Sequence, residues 1–580
     1  MSTFNGRGVD SAKYQLDAVV LAAYHNNATD FKNVEVFQTD PGLRVFQQKK
    51  HYNQDAKIPL KPFMDPIADG AYTPVVDRSA EKRAVKGRVT NLTAKTEKKE
   101  VILTPFVNRC MTEFLELLIP TPHVGHPKYQ EVVYEKQSRP NQRRILEEAE
   151  SSSFDMNAEV KSFVKKEAYA KVTDPRIIST IDGRTKLLYS AFMYSFSEHL
   201  KQFDWYAFGK TPVEVARRVA DIAHSASFNI VMSDLSRMDG NVCWLLRHLE
   251  MMALSRYFAI LYHHYITELY ANTHEKWART TLCVWYQTFA SRLSGEPGTS
   301  SMNTMDTAFI SYLGKRMTKN PLTGTFYTPQ EAWLSLGCYG GDDGITSDID
   351  PEVLARAAAW VGQTMTQETT PRGTFGVNFL SRYYGPEVWW GDPNSCSDIR
   401  RQIVKFHTTV GQVRPLTKLV QKAMSYSLTD RYTPILGPLC QKVIDLLGAD
   451  EASAPHNWWA KFDISVQFPN QYREWMDTFA REQMPDFDWN TFQNWLDELS
   501  LSTVLSPPLC WSSPVPEDSD VTLVVLGEEH LTGPAEEPLT EDKPKLAGQK
   551  PTRRRPTSTL GKPRRRNHGK KTSKKGRVSK

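Results

Sequence analysis

Cysteine is scarce, with seven in 580 residues, scattered from Cys110 to Cys510 and never in CxxC spacing. That excludes a disulfide framework and a zinc finger built from one local cluster, and it suits a reducing compartment. Long apolar runs are missing too. The best stretch, residues 257–266, is interrupted by His263 and His264 and falls short of the roughly 18–20 apolar residues of a membrane span. No signal peptide is read at the start, so membrane attachment is expected to be peripheral or through a partner. No internal repeat is visible. Aromatic residues stop after Trp511, and residues 515–542 hold nine acids without a single Lys or Arg. Residues 541–580 reverse this, with sixteen Lys or Arg against two acids, although the whole chain carries only +6. Composition therefore predicts a disordered, acidic-then-basic tail over 511–580, in which only the apolar run 521–526 is able to dock.

What remains has the composition of a globular enzyme, 40% apolar and 11% aromatic, and its length predicts several packed units. Pro59, Pro62, Pro66 and Pro74 interrupt the first hundred residues, to which no chemistry is assigned. Phe106, Cys110, Phe114 and Leu117 predict a helix over 104–118. Residues 228–233, FNIVMS, read as a short buried strand ending at Asp234. A helical pattern covers 241–270, another 299–315 after the loop 294–298, and a third 351–367, with Pro351 in its first turn. Between apolar flanks, Asp342-Asp343-Gly344 is hairpin-turn chemistry. The remainder to about residue 510 reads as mostly helical.

Phosphodiester synthesis from nucleoside triphosphates uses two divalent ions about 3.5–4 Å apart, and hard ions take oxygen ligands. A carboxylate at the end of a buried strand, facing a carboxylate pair on a hairpin, supplies that arrangement. Asp234 and the pair Asp342 and Asp343 are the candidates. A GDD turn alone is a weak signal, but this one has company. Upstream stands Ser233-Asp234-Leu235-Ser236-Arg237-Met238-Asp239-Gly240, and between the two lies Ser294-Gly295-Glu296-Pro297-Gly298-Thr299-Ser300-Ser301-Met302-Asn303-Thr304.

In order and spacing these segments resemble motifs A, B and C of the palm of viral RNA-dependent RNA polymerases, and in wording the nodavirus-like replicases. Lys165-Lys166-Glu167 with Pro175-Arg176-Ile177-Ile178 resembles the fingers motif F, and Asn378-Phe379-Leu380-Ser381-Arg382 resembles motif E. The resemblance spans roughly residues 160–440. It implies an α+β right-hand fold whose palm is an antiparallel sheet flanked by helices. The implied division is 1–225 for the N-terminal region and fingers, 226–385 for the palm with a fingers insertion near 250–290, and 386–510 for the thumb.

The resemblance also implies roles. Asp234 and Asp342 would be principal ligands of two Mg²⁺ ions, with Mn²⁺ tolerated, Asp343 a weaker ligand and the Leu235 carbonyl completing a sphere. Asp239, Asn303 and Ser294 would sense the incoming 2′-hydroxyl, since a carboxylate and an amide offer both acceptor and donor. Gly295 and Thr299 join them at the nucleotide. Arg176 is the preferred triphosphate clamp because its planar fork suits phosphate oxygens, with Lys165 and Lys166 as further candidates. Arg382 is expected near primer or product RNA. Arg553, Arg554, Arg555, Arg564, Arg565 and Arg566 form a cationic arm able to hold template RNA through counterion release.

One departure stands out. Residues 345–378 contain no Lys and no His, only Arg356 and Arg372, where such polymerases carry a lysine that protonates pyrophosphate. Arg372 is expected to substitute electrostatically, or the donor to come from elsewhere. Nodavirus replicases carry a longer amino-terminal region with membrane and capping functions, so other viral replication proteins or a longer precursor are expected partners beside RNA and nucleoside triphosphates. The expected location is host cytoplasm, in membrane-associated replication complexes. Two rivals are an RNA-templated DNA polymerase, which would need a bulky block in place of Asp239 and Asn303, and a catalytically silent RNA-binding or capsid-like protein, which the intact acids disfavour.

Overall fold

The computed structural model describes residues 34–39, 42–48, 58–98, 101–321, 323–411, 413–448, 464–514, 521–525 and 528–531. The tail arginines 553–555 and 564–566 lie outside the described residues. The architecture is mixed α+β, several small sheets set among helices.

The sheet that matters most is antiparallel and runs Cys338–Gly340, Asp343–Ser347, Asn229–Leu235, Met365–Pro371. Its central strand is apolar on both faces. Ile230 and Met232 pack with Val215 and Val219 of helix Pro212–Ser225, whereas Val231 and Leu235 pack with Met305 and Phe309 of helix Thr299–Arg316. Cover on both faces explains why the segment reads as a continuous apolar run instead of an alternation. Helix Thr299–Arg316 is itself buried nearly all round, and its Thr304 and Thr307 side chains bond across to Gly341.

A second sheet has the order Trp285–Gln287, Trp277–Thr280, Val160–Val164, Ile177–Thr180. Its strands alternate with period two, Val160, Ser162 and Val164 inward, Lys161 and Phe163 outward. The inward face packs on Ala84, Val85 and Val89.

The two ends of the described chain meet. Val34–Thr39 pairs antiparallel with Leu43–Gln48 and parallel with Val521–Val525. Trp511–Ser512 runs parallel to Ala68–Asp69, and Arg44 donates to the Ser513 carbonyl at 2.6 Å. The tail therefore does not begin at 511: residues 511–514 belong to the fold, and the apolar run beyond them docks as a strand. Helices Pro415–Thr429, Leu436–Leu447, Glu474–Gln483 and Trp489–Asp497 share one core with Phe63, Met64, Ile67 and Trp511.

Two helical expectations are corrected. The helix read over 351–367 stops as Pro351–Trp360, because Gly362 turns into the left-handed region at φ 84° and the threonine-rich Met365–Pro371 pairs as a strand. The pattern over 241–270 breaks at Phe258, whose side chain is fully buried and whose backbone bridges to Gly125. Helix Trp244–Tyr257 ends there and His263–Ala271 follows. No helix among the described residues is long and apolar enough to cross a membrane.

Candidate active site

An open cleft of about 1160 Å³ lies at one end of the central sheet, and both Asp234 and Asp342 line it. Asp234 is the penultimate residue of its strand and sits directly opposite Asp343 in register. The Leu235 N–H donates to the Asp342 carbonyl at 3.0 Å, which ties the two acidic segments backbone to backbone. Helix Thr299–Arg316 holds the turn from behind. Thr304 accepts from the Gly341 N–H at 2.9 Å and Thr307 donates to the Gly341 carbonyl at 2.7 Å. Gly341 itself has φ 75°, a conformation a side chain rarely adopts.

The acids repel one another. Burial raises the pKa of Asp234, and the Asp342 charge raises it further against the opposing pull of Thr366 and Arg176. Asp343 is pushed up to about 7 by burial and then by the Asp342 and Asp234 carboxylates. Asp343 stands behind the cleft instead of lining it. Crowded carboxylates of this kind are relieved by a cation, and oxygen donors are what a hard divalent ion takes. The donor set thus fits such an ion, although no compact group of three His, Cys, Asp or Glu occurs among the described residues.

Asp239 and Asn303 also line the cleft. The Asn303 amide donates to the Asp239 carboxylate at 2.8 Å, and Arg292 Nε donates to the Asn303 side-chain oxygen at 2.9 Å. Asn303 can point only one way. Arg292 was not foreseen in the sequence. It is fully buried and meets Glu250 at 2.5 Å, Glu296 at 3.0 Å and Asp306 at 3.2 Å, while its N–H donates to the Asp239 carbonyl. Glu250 is held down at about 2 in spite of burial by Arg292 and Arg247. A single Arg beside a polar loop reads as surface; only its distant partners reveal it.

Ser294 and Gly295 stitch this loop to strand Ile177–Thr180. The Ser294 hydroxyl donates to the Ile177 carbonyl at 3.0 Å and receives the Ser179 N–H at 3.2 Å. A Cβ on Gly295 would lie 2.8 Å from the Ser179 oxygen, so the close approach needs glycine. Thr299 turns back on the carbonyls of Leu293 and Glu296.

Arg176 and Lys165 line the cleft with Glu167 between them, at 3.7 and 3.0 Å. Lys166 is exposed and is not in the lining. The first hundred residues, to which no chemistry was assigned, contribute Gly70, Ala71, Arg88 and Val89. Arg88 and Arg237 share Asp174, Arg237 through an ion pair of 2.7 Å.

Two expected roles are not met. Arg382 is buried, with its guanidinium taken by Asp430 at 3.2 Å, Ser395 and the Thr429 carbonyl, and with the Phe468 ring 4.4 Å away. Nothing of it is left for RNA. Arg372 donates to the carbonyls of Ala223, Ala226 and Trp389, which makes it a brace under helix Pro212–Ser225 and not an electrostatic group of the cleft. Lys165 and Lys405 are the lysines of the lining, and burial followed by the charge of Arg401 lowers the Lys405 pKa.

No family model matches the chain. Over 433 residues, 72% of its length, it is 31% identical to the RNA-directed RNA polymerase of Greasy grouper nervous necrosis virus, covering 42% of that protein. It is 32% identical over 385 residues to the RNA-directed RNA polymerase of Pariacoto virus, 63% of this chain and 37% of that one. The corresponding protein of Flock house virus matches at 25% over 250 residues. The chain spans about two fifths of the length of the first curated relatives it matches.

Proposed function

The chain is a relative of the nodavirus-like RNA-dependent RNA polymerases, and from that premise we propose that it copies an RNA template into RNA from nucleoside triphosphates. The observation that carries this reading is the in-register pairing of Asp234 with Asp343 beside the turn that presents Asp342 to the cleft. Asp234 and Asp342, with Asp343 behind them and the Leu235 carbonyl beside them, would hold two Mg²⁺ or Mn²⁺ ions. Bound there, the ions supply activation of a 3′-hydroxyl and charge neutralisation at the departing pyrophosphate.

The chain's own groups do the rest. Arg176 lines the same cleft, and its charge opposes the upward shifts that burial and mutual repulsion give Asp234 and Asp343; its planar fork suits a triphosphate. Lys165 adds charge beside it. Asp239 and Asn303, held in one orientation by Arg292, present a carboxylate oxygen and an amide N–H to a ribose hydroxyl. Ser294, Gly295 and Thr299 shape the loop under that ribose. The polar pair favours ribonucleotides over the RNA-templated DNA polymerase reading, which needs bulk at this place.

On this reading the central sheet and its helices are the palm, 226–385. The sheet carrying residues 160–180 and 277–287 belongs to the fingers, together with the N-terminal region 1–225, and the helices of 386–510 form the thumb. The basic arm 541–580 retains RNA. Cytoplasmic replication complexes, with other viral proteins and a peripheral membrane contact, are the setting.

The deciding experiment is templated incorporation of labelled ribonucleotides by purified chain, beside Asp342→Asn. Product that disappears in Asp342→Asn, together with loss of Mn²⁺ binding by electron paramagnetic resonance in Asp234→Asn, supports the reading. Equal product from both proteins, or Mn²⁺ binding unchanged, refutes it.

A further inference from the structure

One face of the sheet formed by residues 160–180 and 277–287 is packed, and the other is bare. On the bare face Trp277, Trp285 and Phe163 are exposed by 62%, 55% and 45%, interleaved with Lys161 and Arg279. Concentrated exposed aromatics on one small surface mark a contact site more often than an accident. Register shows how they line up. Trp285 pairs with Arg279, Arg279 with Lys161 and Lys161 with Thr180. Directly paired residues share a face, so one row crosses all four strands, about 14 Å.

One step along, Phe163 pairs with Ile178, and Ile178 lines the cleft. The bare face is thus continuous with the wall of the candidate active site. The guanidinium of Arg279 lies 5.5 Å from the centre of the Trp285 ring and pairs with Glu159 at 2.8 Å. Flat rings alternating with cations are what a single strand of nucleic acid uses without sequence reading, since bases stack on the rings and phosphates meet the cations. Because Glu159 already neutralises Arg279, stacking carries more of the contact here than charge does.

We propose that this sheet face is a single-stranded RNA track that delivers the template strand to the cleft past Ile178. The proposal rests on the reading of the cleft as an RNA-copying site, and its test separates the two. Self-priming RNA hairpins with 5′ overhangs of about 2 and about 10 nucleotides are titrated against purified full chain by fluorescence anisotropy. The long overhang should bind more tightly. In the double variant Trp277→Ala/Trp285→Ala its affinity should fall at least about tenfold, bringing the ratio between the two RNAs close to one, while Trp285→Phe keeps the preference.

The readout is that ratio, which a general folding defect does not mimic. No preference in the unaltered protein, or a preference that survives the double variant, overturns the track and leaves the face for a protein contact. Should both affinities collapse together, photocrosslinking of a 5-iodouridine overhang to the unaltered chain decides. Attachment at Trp277 or Trp285 upholds the track, and attachment only elsewhere overturns it. Overhang preference without templated incorporation keeps the track and discards the polymerase reading; incorporation without overhang preference does the reverse.

Discussion

Asp239→Asn and Asn303→Ala should each erode the preference for ribo- over deoxyribonucleotides. The structure sets the size of the effect. Asn303 spends its oxygen on Arg292 at 2.9 Å and one N–H on Asp239 at 2.8 Å, which leaves the second carboxylate oxygen and the second N–H for a 2′-hydroxyl. A hydrogen bond to a charged group is worth about 1.5–3 kcal/mol, or about 10- to 150-fold. The ratio of kcat/KM for GTP over dGTP should therefore fall by about 10- to 150-fold in Asp239→Asn. Asn303→Ala removes the donor and also frees Asp239 and Arg292 to reorient, so it should fall in the same range. Both residues act in one network, and the double variant should lose less than the product of the two effects. The assay is single-nucleotide incorporation on a fixed template at saturating Mg²⁺. Variants that slow GTP and dGTP equally, with the ratio intact, would refute the assignment of this pair to the ribose.

Three further outcomes are expected. Arg372→Met removes donors to the carbonyls of Ala223, Ala226 and Trp389, so it should destabilise the chain by about 2–4 kcal/mol in urea while activity per folded molecule stays unchanged; a specific loss of activity would return Arg372 to the chemistry. His407 is buried with neither ring nitrogen bonded, and burial and then the Lys422 charge push its pKa down to about 4. The unfolded chain takes up that proton near 6.5, so stability is lost as the pH falls from about 6.5 towards 4, by about 2 kcal/mol between pH 7 and 5. His407→Leu should flatten the urea midpoint over that range, and an unchanged slope would contradict the account. A chain ending at Gly533 should fold and bind RNA with a shallower salt dependence, whereas one ending at Cys510 should be markedly less stable, having lost Trp511, the Ser513 contact to Arg44 and strand Val521–Val525; equal melting temperatures would show that those contacts contribute nothing.

Local signals were legible. The strand that carries Asp234 next to its end and the hairpin turn at Asp342 announce themselves in a few residues each, through an apolar run and a turn dipeptide. Helix Thr299–Arg316 likewise begins where the glycine-rich loop predicts. The buried charge network was not legible, because Arg292 acquires its meaning from Glu250 and Asp306, which lie on different helices. The brace formed by Leu60–Pro62 and Ala68–Asp69 was equally hidden, since strands of two or three residues carry no periodicity and their partners, Thr408–Val410 and Trp511–Ser512, lie hundreds of positions away. Arg382 misled for the opposite reason: a motif position suggested RNA, but the residue's neighbours in space consume every donor. At residue 362 a single glycine outweighed the helical pattern around it.

The parallel pairing of Val34–Thr39 with Val521–Val525 imposes an order on biosynthesis. The two strands are roughly 490 residues apart in the chain, and a ribosome adding about 5–20 residues per second needs roughly half a minute to a minute and a half to make the second after the first. Throughout that interval one edge of the first strand lacks its partner, and an unpaired edge is an invitation to other strands. Within this chain the sheet around Val34–Thr39 thus closes only after residues 521–525 have been made. Chains released before residue 521 would keep that edge open, and an open edge is a site of aggregation.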